Sequence, residues 1–205
     1  LIDKKCCGRP LISKGLLESA KKNAKYNIDS IYKYVKAGAI VVGAEPSCIS
    51  ALKDEYPDMF PNDERIKLIS KNTYLLQEIL VKEGENKKIN FKKDLKKISI
   101  AVQVHCHEKT IIGENISIDS LKLIPNSEVE KIPSGCCGMA GAFGYEKEHF
   151  DLSKQIAQER LLPYIKELSS ETQVAITGVS CRHQIDDLSE KDPKHILEIF
   201  ADSII

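Results

Sequence analysis

Seven cysteines in a repeated arrangement constrain this chain more than any other feature of its 205 residues. Two adjacent cysteines followed by glycine occur twice, as Cys6-Cys7-Gly8 and as Cys136-Cys137-Gly138. After a helical pattern and a short apolar run, a single cysteine follows each pair, Cys48 in the first case and Cys181 in the second. The pairs are 130 residues apart and the single cysteines 133. Because self-similarity at a constant spacing marks repeated structural units, the sequence predicts two cysteine-bearing units in tandem.

The second unit carries a further cysteine, Cys106, thirty residues before its pair. The same offset places the first unit's counterpart before Leu1, so we expect the chain to be a fragment that lacks the front of its first unit. The predicted boundaries are residues 1–83 for the C-terminal part of the first unit, 84–97 for a Lys-rich connection, and 98–205 for the second unit.

Helical and strand patterns alternate along the chain. Apolar residues at intervals of three and four predict helices, and short apolar or alternating runs predict strands. The predicted helices cover 11–37 (with a break near Asn27), 68–82, 118–123, 147–168 and 194–204, and the predicted strands cover 39–42, 98–104, 129–132 and 174–176. The stretch 56–64, rich in Pro and acidic residues, predicts a loop. We therefore expect an α/β fold of tandem, pseudo-repeated cysteine-rich units, with a mainly parallel sheet flanked by helices.

Charge and hydropathy exclude two kinds of partner. The 30 basic and 30 acidic residues give a net charge of zero, without the basic field that non-specific nucleic-acid binding uses. No apolar run approaches the ~20 residues of a membrane-spanning helix. We expect no nucleic-acid partner and no transmembrane segment. The expected location is the cytoplasm, with peripheral attachment to the inner face of the membrane as an alternative.

The positions of the cysteines favour metal or redox chemistry over a disulfide framework. Each single cysteine follows a predicted buried strand, at the carboxyl end where α/β sheets gather ligands. Each pair precedes a predicted helix, whose N-terminal dipole favours thiolates. The odd number of cysteines and the lack of a secretion signal argue against structural disulfides.

Four thiolates in the second unit suit either an iron–sulfur cluster or a tetrahedral zinc ion: Cys106, Cys136, Cys137 and Cys181. The chain has no Cys-x2-Cys run, so these ligands would converge from three separate loops, and spacing alone leaves both metals open.

Three histidines lie next to these cysteines. His105 and His107 flank Cys106, and His183 follows Cys181 by two residues. Near a metal they could ligate it or protonate a substrate, and they could equally be polar loop residues. We treat them as accessory candidates, and the sequence identifies no catalytic residue.

Four motifs together resemble the cysteine-rich CCG domain family: Cys6-Cys7-Gly8-Arg9-Pro10, Pro46-Ser47-Cys48, His105-Cys106-His107 and Gly135-Cys136-Cys137-Gly138-Met139-Ala140-Gly141. That family includes the cysteine-rich component of heterodisulfide reductase, the iron–sulfur component of glycolate oxidase and the membrane-anchoring component of anaerobic glycerol-3-phosphate dehydrogenase. The segment Gly138 to Glu146 is most similar to the C-terminal region of large FAD-linked oxidases of the D-lactate and D-2-hydroxyglutarate dehydrogenase kind.

The resemblance implies a role in electron transfer. Electrons would leave a 2-hydroxy acid through a flavin, cross iron–sulfur centres of the 4Fe-4S type and pass to a quinone or another acceptor. FAD and the ferredoxin-like module would belong to other parts of the same polypeptide or complex, so the fragment alone should be inactive. By resemblance, Cys106, Cys136, Cys137 and Cys181 would hold one centre. Cys6, Cys7 and Cys48 would hold the other, with an upstream cysteine.

One departure from the family pattern bears on the type of cluster. The heterodisulfide reductase form has a fifth thiol three residues after the last cysteine, where this chain has Ala51 and Gln184. A four-thiolate cluster is therefore expected rather than a five-thiol one, with zinc or an empty site as the alternative in this fragment. The rival function is a non-catalytic zinc or thiol scaffold that docks such an enzyme. Thiol–disulfide catalysis ranks last, because a vicinal disulfide closes a strained eight-membered ring.

Overall fold

A computed structural model describes residues 3–86 and 88–205 and divides the chain into two compact units. The first unit ends at Leu76, and the second runs from Gln77 to Ile205. In the described residues, both units combine helices with a parallel sheet, which confirms the expected α/β class. The boundaries drawn from the repeat, at residues 83 and 97, remain predictions. Within the same residues, no helix has both the length and the apolar character needed to cross a bilayer.

The first unit packs five helices around a two-stranded sheet. Its strands are β1 (Val41–Gly43) and β2 (Thr73–Leu75), paired in parallel. Its helices are α1 (Arg9–Ser13), α2 (Leu17–Lys36), α3 (Pro46–Ser50), α4 (Tyr56–Met59) and α5 (Glu64–Lys71), and a π-helical stretch, Ala51–Glu55, joins α3 to α4. The apolar face of α2 packs on this stretch and on α5, forming the core around Ala24, Ile28, Tyr56, Ile66 and Ile69.

Three details of the first unit differ from the sequence-based expectation. Helix α2 continues through Asn27, and the break lies earlier, where Gly15 adopts a left-handed φ of 72°. The single helix expected over 68–82 is interrupted: its first residues belong to α5, strand β2 follows, and α6 (Leu76–Glu85) forms the rest. The stretch expected as a loop begins with α4, whose Pro57 stands in the first helical turn, where proline is tolerated.

The second unit contains a four-stranded parallel sheet with strand order β4-β3-β5-β6. The strands are β3 (Ile98–Gln103), β4 (Ser127–Lys131), β5 (Gln173–Ile176) and β6 (Lys194–His195). Besides α6, the helices are α7 (Cys106–Ile111), α8 (Asn115–Lys122), α9 (Phe150–Glu159), α10 (Leu161–Glu167), α11 (Val179–Leu188) and α12 (Ile196–Ser203). The helix expected over 147–168 is split between α9 and α10 at Arg160, because Pro163 lacks the N–H that would bond to Glu159.

Helices cover both faces of this sheet, so its central strands are buried on both sides. On one face Ala101, Val174 and Ile176 pack against α10 and α11, and on the other Ile100 and Val102 pack against α8 and α12. Part of the stretch expected as an exposed connection joins this core. Phe91 forms a bridge with Ile204, and its ring meets that of Phe200 edge-on at 5.6 Å between centroids.

Candidate metal centre

Each single cysteine lies in the first turn of a helix that begins just after a parallel strand. Cys48 lies in α3 after β1, Cys106 is the first residue of α7 after β3, and Cys181 lies in α11 after β5. These are the positions that the sequence predicted, at the carboxyl ends of strands. Because β3 and β5 are parallel neighbours, Cys106 and Cys181 reach the same edge of the second sheet.

The loop that carries the second cysteine pair reaches the same edge. Hydrogen bonds connect the four thiols of this unit: Cys106 and Cys137 both donate to Cys136, and Cys137 also contacts Cys181. Bonds from Cys106 and Cys137 hold the pKa of Cys136 at about 2, and sharing a proton with Cys136 raises the pKa of both donors. The second unit thus gathers all four predicted ligands, with Cys136 as the thiolate.

Backbone N–H groups also donate to these sulfurs. Gly138 donates to Sγ of Cys136 at 3.3 Å, Ala140 donates to the same sulfur, and Met139 donates to Cys137. Gly138 makes this turn with a φ of +100°, and a Cβ on it would lie 2.2 Å from the carbonyl oxygen of Ser153. Only glycine fits there, which explains the third residue of the Cys-Cys-Gly motif in this unit.

The two cysteine pairs differ in their distance from a helix start. Helix α1 begins at Arg9, directly after Cys6-Cys7-Gly8, as expected, and the N–H of Arg9 donates to Cys7. After Cys136-Cys137 the chain forms a loop and a 3₁₀ turn (Phe143–Tyr145), and α9 begins only at Phe150. The helix expected over 147–168 thus begins at Phe150, too far along the chain for its first turn to adjoin Cys137. The single cysteines also occupy helix starts, because a strand followed at once by a helix leaves the first helical turn at the sheet edge.

The first unit brings its three cysteines together in a similar way. The sulfur atoms of Cys7 and Cys48 are 3.2 Å apart, and Cys6 shares a hydrogen bond with Cys7. The bond with Cys48 lowers the pKa of Cys7 to about 6, and the pKa of Cys48 is raised. Cys6 is exposed and Cys7 is buried, so this site opens to the surface on the side of Cys6.

One of the three candidate histidines, His105, contacts the second site: its Nδ1 lies 4.0 Å from Sγ of Cys106. His105 is buried and caps α7: its Nδ1 accepts from the N–H of His107 at 3.1 Å. The neutral ring therefore carries its hydrogen on Nε2, which lies 3.2 Å from the hydroxyl of Ser180, the residue before Cys181. His105 thus joins the two helix starts that carry Cys106 and Cys181. The ring of His107 lies 5.4 Å from that of His105, and His183 is hydrogen-bonded to the Tyr145 hydroxyl.

The donor set fits metals that prefer soft thiolate ligands, which include zinc and iron–sulfur clusters. In the described ranges, however, no group of three or more His, Cys, Asp or Glu side chains is placed to hold a metal ion. The thiols contact one another in series instead of facing a common centre. To bind metal, their side chains would turn from these hydrogen bonds while the three backbone segments stay in place.

Residues 2–53 and 100–186 match the family model of the CCG cysteine-rich domain. The chain belongs to the CCG family. This confirms the predicted family, and the two separate matches place one copy of the motif in each predicted unit.

Three relatives of this CCG chain show the context in which such domains occur. It is 29% identical to the third subunit of the anaerobic glycerol-3-phosphate dehydrogenase of Escherichia coli, over 100% of this chain and 50% of that protein. It is 24% identical to D-2-hydroxyglutarate dehydrogenase of Pseudomonas putida, over 94% of this chain and 18% of the enzyme. It is 29% identical to lactate utilization protein A 2 of Bacillus cereus, over 76% of this chain and 64% of that protein. The chain thus spans half or less of the two dehydrogenase relatives, and such relatives are components of oxidoreductases.

Two buried polar side chains, which the sequence did not single out as site residues, hold the first CCG loop. The Asn27 side chain accepts from the N–H of Lys5 at 2.8 Å and donates to the Tyr56 hydroxyl at 3.0 Å, and that hydroxyl donates to the carbonyl of Cys7 at 2.9 Å. The signal was an asparagine among the apolar positions of an amphipathic helix.

In the second CCG unit, Lys109 and Gln184 have comparable roles. The Lys109 ammonium donates to the carbonyls of Ser134 at 2.6 Å and Gly135 at 3.3 Å, directly before Cys136. Gln184 stands where the five-thiol form has its last cysteine, and its amide donates to the carbonyl and hydroxyl of Ser153 at 3.0 and 3.1 Å. The amide ties α11 to α9, so this position holds the fold together and supplies no thiol.

Proposed function

We propose that this chain is the electron-transfer region of a flavin-linked oxidoreductase and that Cys106, Cys136, Cys137 and Cys181 hold an iron–sulfur cluster of the 4Fe-4S type. The observation that carries the proposal is the convergence of these four thiols at the carboxyl edge of β3 and β5. When bound, such a cluster transfers single electrons at a potential set by charge, solvent exposure and hydrogen bonds to sulfur.

The surrounding residues supply those three influences. The N–H groups of Gly138, Met139 and Ala140 donate to the sulfurs and stabilise negative charge on them. Cys137 and Cys181 are 3% and 1% exposed, so they face the core, whereas Cys106 and Cys136 are half-buried. The site is therefore shielded from water on the inner side and lies near the surface on the outer side, where electrons can enter and leave.

The names of the relatives indicate the substrate class. Glycerol 3-phosphate, D-2-hydroxyglutarate and lactate are all secondary alcohols, and two of these compounds are 2-hydroxy acids. In the proposed enzyme, a flavin module of the same polypeptide or complex removes two electrons and two protons from a 2-hydroxy acid. A ferredoxin-like module and this region then carry the electrons one at a time to a quinone or another acceptor. The complex works in the cytoplasm, or at the inner face of the membrane as a peripheral assembly.

The first unit is proposed to hold a second centre. Cys6, Cys7 and Cys48 contact one another as their counterparts do, and Gly8 makes the same left-handed turn after its pair, with a φ of 89°. Three thiols leave one position of a four-ligand centre to another group.

Metal analysis of the full chain, purified without oxygen, tests this function. We expect iron and acid-labile sulfide in equal amounts, and a Cys137→Ser variant should lose the share bound at the second site. Cys6→Ser is the matched control, because it makes the same chemical change in the other unit and should leave the second site loaded. Stoichiometric zinc without iron in the anaerobic protein would contradict the proposal and favour the zinc scaffold.

A further inference from the structure

The residue three positions before the single cysteine differs between the two units, and the difference is one of charge. In the first unit it is Glu45, whose carboxylate caps α3 by accepting from the N–H of Ser47 at 3.3 Å and from its hydroxyl at 2.6 Å. The side chain is held next to Cys48, and its negative charge acts on both Cys48 and Cys7. A fixed carboxylate therefore belongs to the first cysteine site.

In the second unit the corresponding residue is Gly178, which has no side chain. The ring of His105 lies there instead: a Cβ on Gly178 would be 2.5 Å from Cδ2 of that ring. This helix start therefore carries a neutral imidazole and a serine, Ser180, where the first unit has a carboxylate and a serine.

The groups that hold the loops before the two cysteine pairs also differ in charge, and the more positive group is again in the second unit. In the second unit, the charged Lys109 donates to the carbonyls of Ser134 and Gly135, and Cys136 is the next residue. In the first unit the counterpart of the Gly135 carbonyl is that of Lys5, to which the uncharged Asn27 donates at 3.3 Å. Asn27 and Tyr56 also donate to the carbonyls of Cys6 at 3.4 Å and Cys7 at 2.9 Å. Arg9, which follows the first pair, forms an ion pair with Glu55. The loop before the second pair is thus held by a cation, whereas the groups that hydrogen-bond to the loop of the first pair are neutral.

We propose that Glu45 and Lys109 bias the two cysteine sites in opposite directions and make the second site the better electron acceptor. An added electron adds negative charge, which a nearby cation stabilises and a nearby anion destabilises. If each site held a one-electron centre, the bias would make the first centre easier to oxidise and the second easier to reduce, each by one electron and with no bond or proton exchanged. The role as electron acceptor rests on the proposed function, whereas the charge bias is a property of the thiol sites themselves.

The charge bias can be measured on the metal-free full chain with two alkylating reagents. Neutral iodoacetamide and anionic iodoacetate react with the same thiolate, so the ratio of their rates reports the local electrostatic potential and not the fraction ionised. Mass spectrometry resolves the ratio at each cysteine. Glu45→Gln should raise the iodoacetate-to-iodoacetamide ratio at Cys6 and Cys48 by about two- to fivefold, and Lys109→Gln should lower it at Cys106 and Cys136 by a similar factor.

Three further variants separate local charge from general effects. Lys109→Arg keeps the charge and should keep the ratio. Glu64→Gln and Lys97→Gln remove charges of the same signs from exposed ion pairs of the two units and should leave every ratio unchanged. The proposal would be overturned if both Glu45→Gln and Lys109→Gln kept the wild-type iodoacetate-to-iodoacetamide ratio, or if the two variants shifted that ratio in the same direction.

The loaded protein provides the second readout, the reduction potential of each centre followed by EPR. Glu45→Gln should raise the potential of the first centre, Lys109→Gln should lower that of the second, and Lys109→Arg should restore it. If the alkylation ratios shift as expected but the anaerobic chain contains no iron, the proposed function fails and the charge bias stands without its role in electron transfer. If iron is bound while ratios and potentials do not move, the proposed function stands and this inference fails.

Discussion

The sulfur atoms of Cys7 and Cys48 lie 3.2 Å apart although 41 residues separate the two cysteines in the chain. The pKa of Cys7 is lowered to about 6 chiefly by its hydrogen bond with Cys48, and the pKa of Cys48 is raised by the same contact. At neutral pH the pair therefore holds one proton, which the two sulfurs share across this contact. The two thiols titrate as a pair, so the apparent pKa of about 6 describes the pair and not Cys7 alone.

Removing Cys48 should restore the ordinary acidity of Cys7. In metal-free Cys48→Ala we expect the low thiolate transition near pH 6 to disappear, because the hydrogen bond that stabilises the Cys7 anion is lost. The ultraviolet absorbance of thiolates, recorded against pH, measures the transition. Cys181→Ala, a single cysteine of the second unit, should keep it, and a transition near pH 6 in Cys48→Ala would show that another group lowers the pKa of Cys7.

The Tyr56 hydroxyl should stabilise the first unit by satisfying two buried groups. Tyr56→Phe leaves the Cys7 carbonyl without this donor and removes the shortest of the bonds that the Asn27 amide donates, both inside the fold. The free energy of unfolding should fall by about 1–3 kcal/mol, as measured by urea denaturation. Tyr34→Phe makes the same change on an exposed ring and should cost less than about 0.5 kcal/mol. Equal stabilities for the two variants would mean that the contacts of Tyr56 contribute nothing.

Gly138 should tolerate alanine much less well than Gly113. Both adopt a positive φ, of +100° and +108°, so alanine strains the backbone at either position. At Gly138, however, a Cβ would also meet the carbonyl of Ser153 at 2.2 Å, whereas Gly113 has open space around it. We expect Gly113→Ala to cost about 1 kcal/mol and Gly138→Ala several times more, together with loss of bound metal. Similar urea midpoints for the two variants would refute the close packing of this loop.

Glu108 should make the second unit less stable as the pH rises. Burial raises the pKa of its carboxyl to about 7, although Ser117 and Thr177 donate to it, whereas an unfolded chain has a value near 4.3. Between these values the unfolded chain loses the proton and the folded chain keeps it. The stabilisation is therefore full below about pH 4 and lost above about pH 7, a change of about 4 kcal/mol.

Glu108→Gln removes this titration and keeps the shape of the side chain. The free energy of unfolding of the metal-free variant, minus that of the wild type, should be more positive at pH 8 than at pH 5, as measured by urea unfolding. The exposed Glu190→Gln should show no such difference. Parallel pH profiles for the wild type and Glu108→Gln would show that the carboxyl ionises in the folded protein as it does in the unfolded one.

The positions of the single cysteines could be predicted because a simple physical rule links them to the strands. Parallel neighbouring strands end at the same edge, so a cysteine directly after β3 and another directly after β5 must approach each other. Long amphipathic helices such as α2 were predictable for the same kind of reason, since their periodicity extends over many residues.

The missed features depend on contacts between distant parts of the chain. Strand β2 has three residues, too few to show a period, and it forms because β1 lies beside it. The sequence predicts a helix break near Asn27, whereas the residues that keep it inside the helix, Lys5 and Tyr56, are far away in sequence. Nothing in the sequence distinguishes Lys109, and only the fold brings its ammonium to the carbonyls before Cys136.

The EPR spectrum of the anaerobically purified full chain, before and after reduction, tests the central claim most directly. The account predicts an iron–sulfur signal whose intensity changes with reduction. Its second-site component should disappear in Cys181→Ser and persist in Cys6→Ser, because only the first of these removes a ligand from the second unit. A protein without any iron–sulfur signal in either state, carrying zinc or no metal, would contradict it.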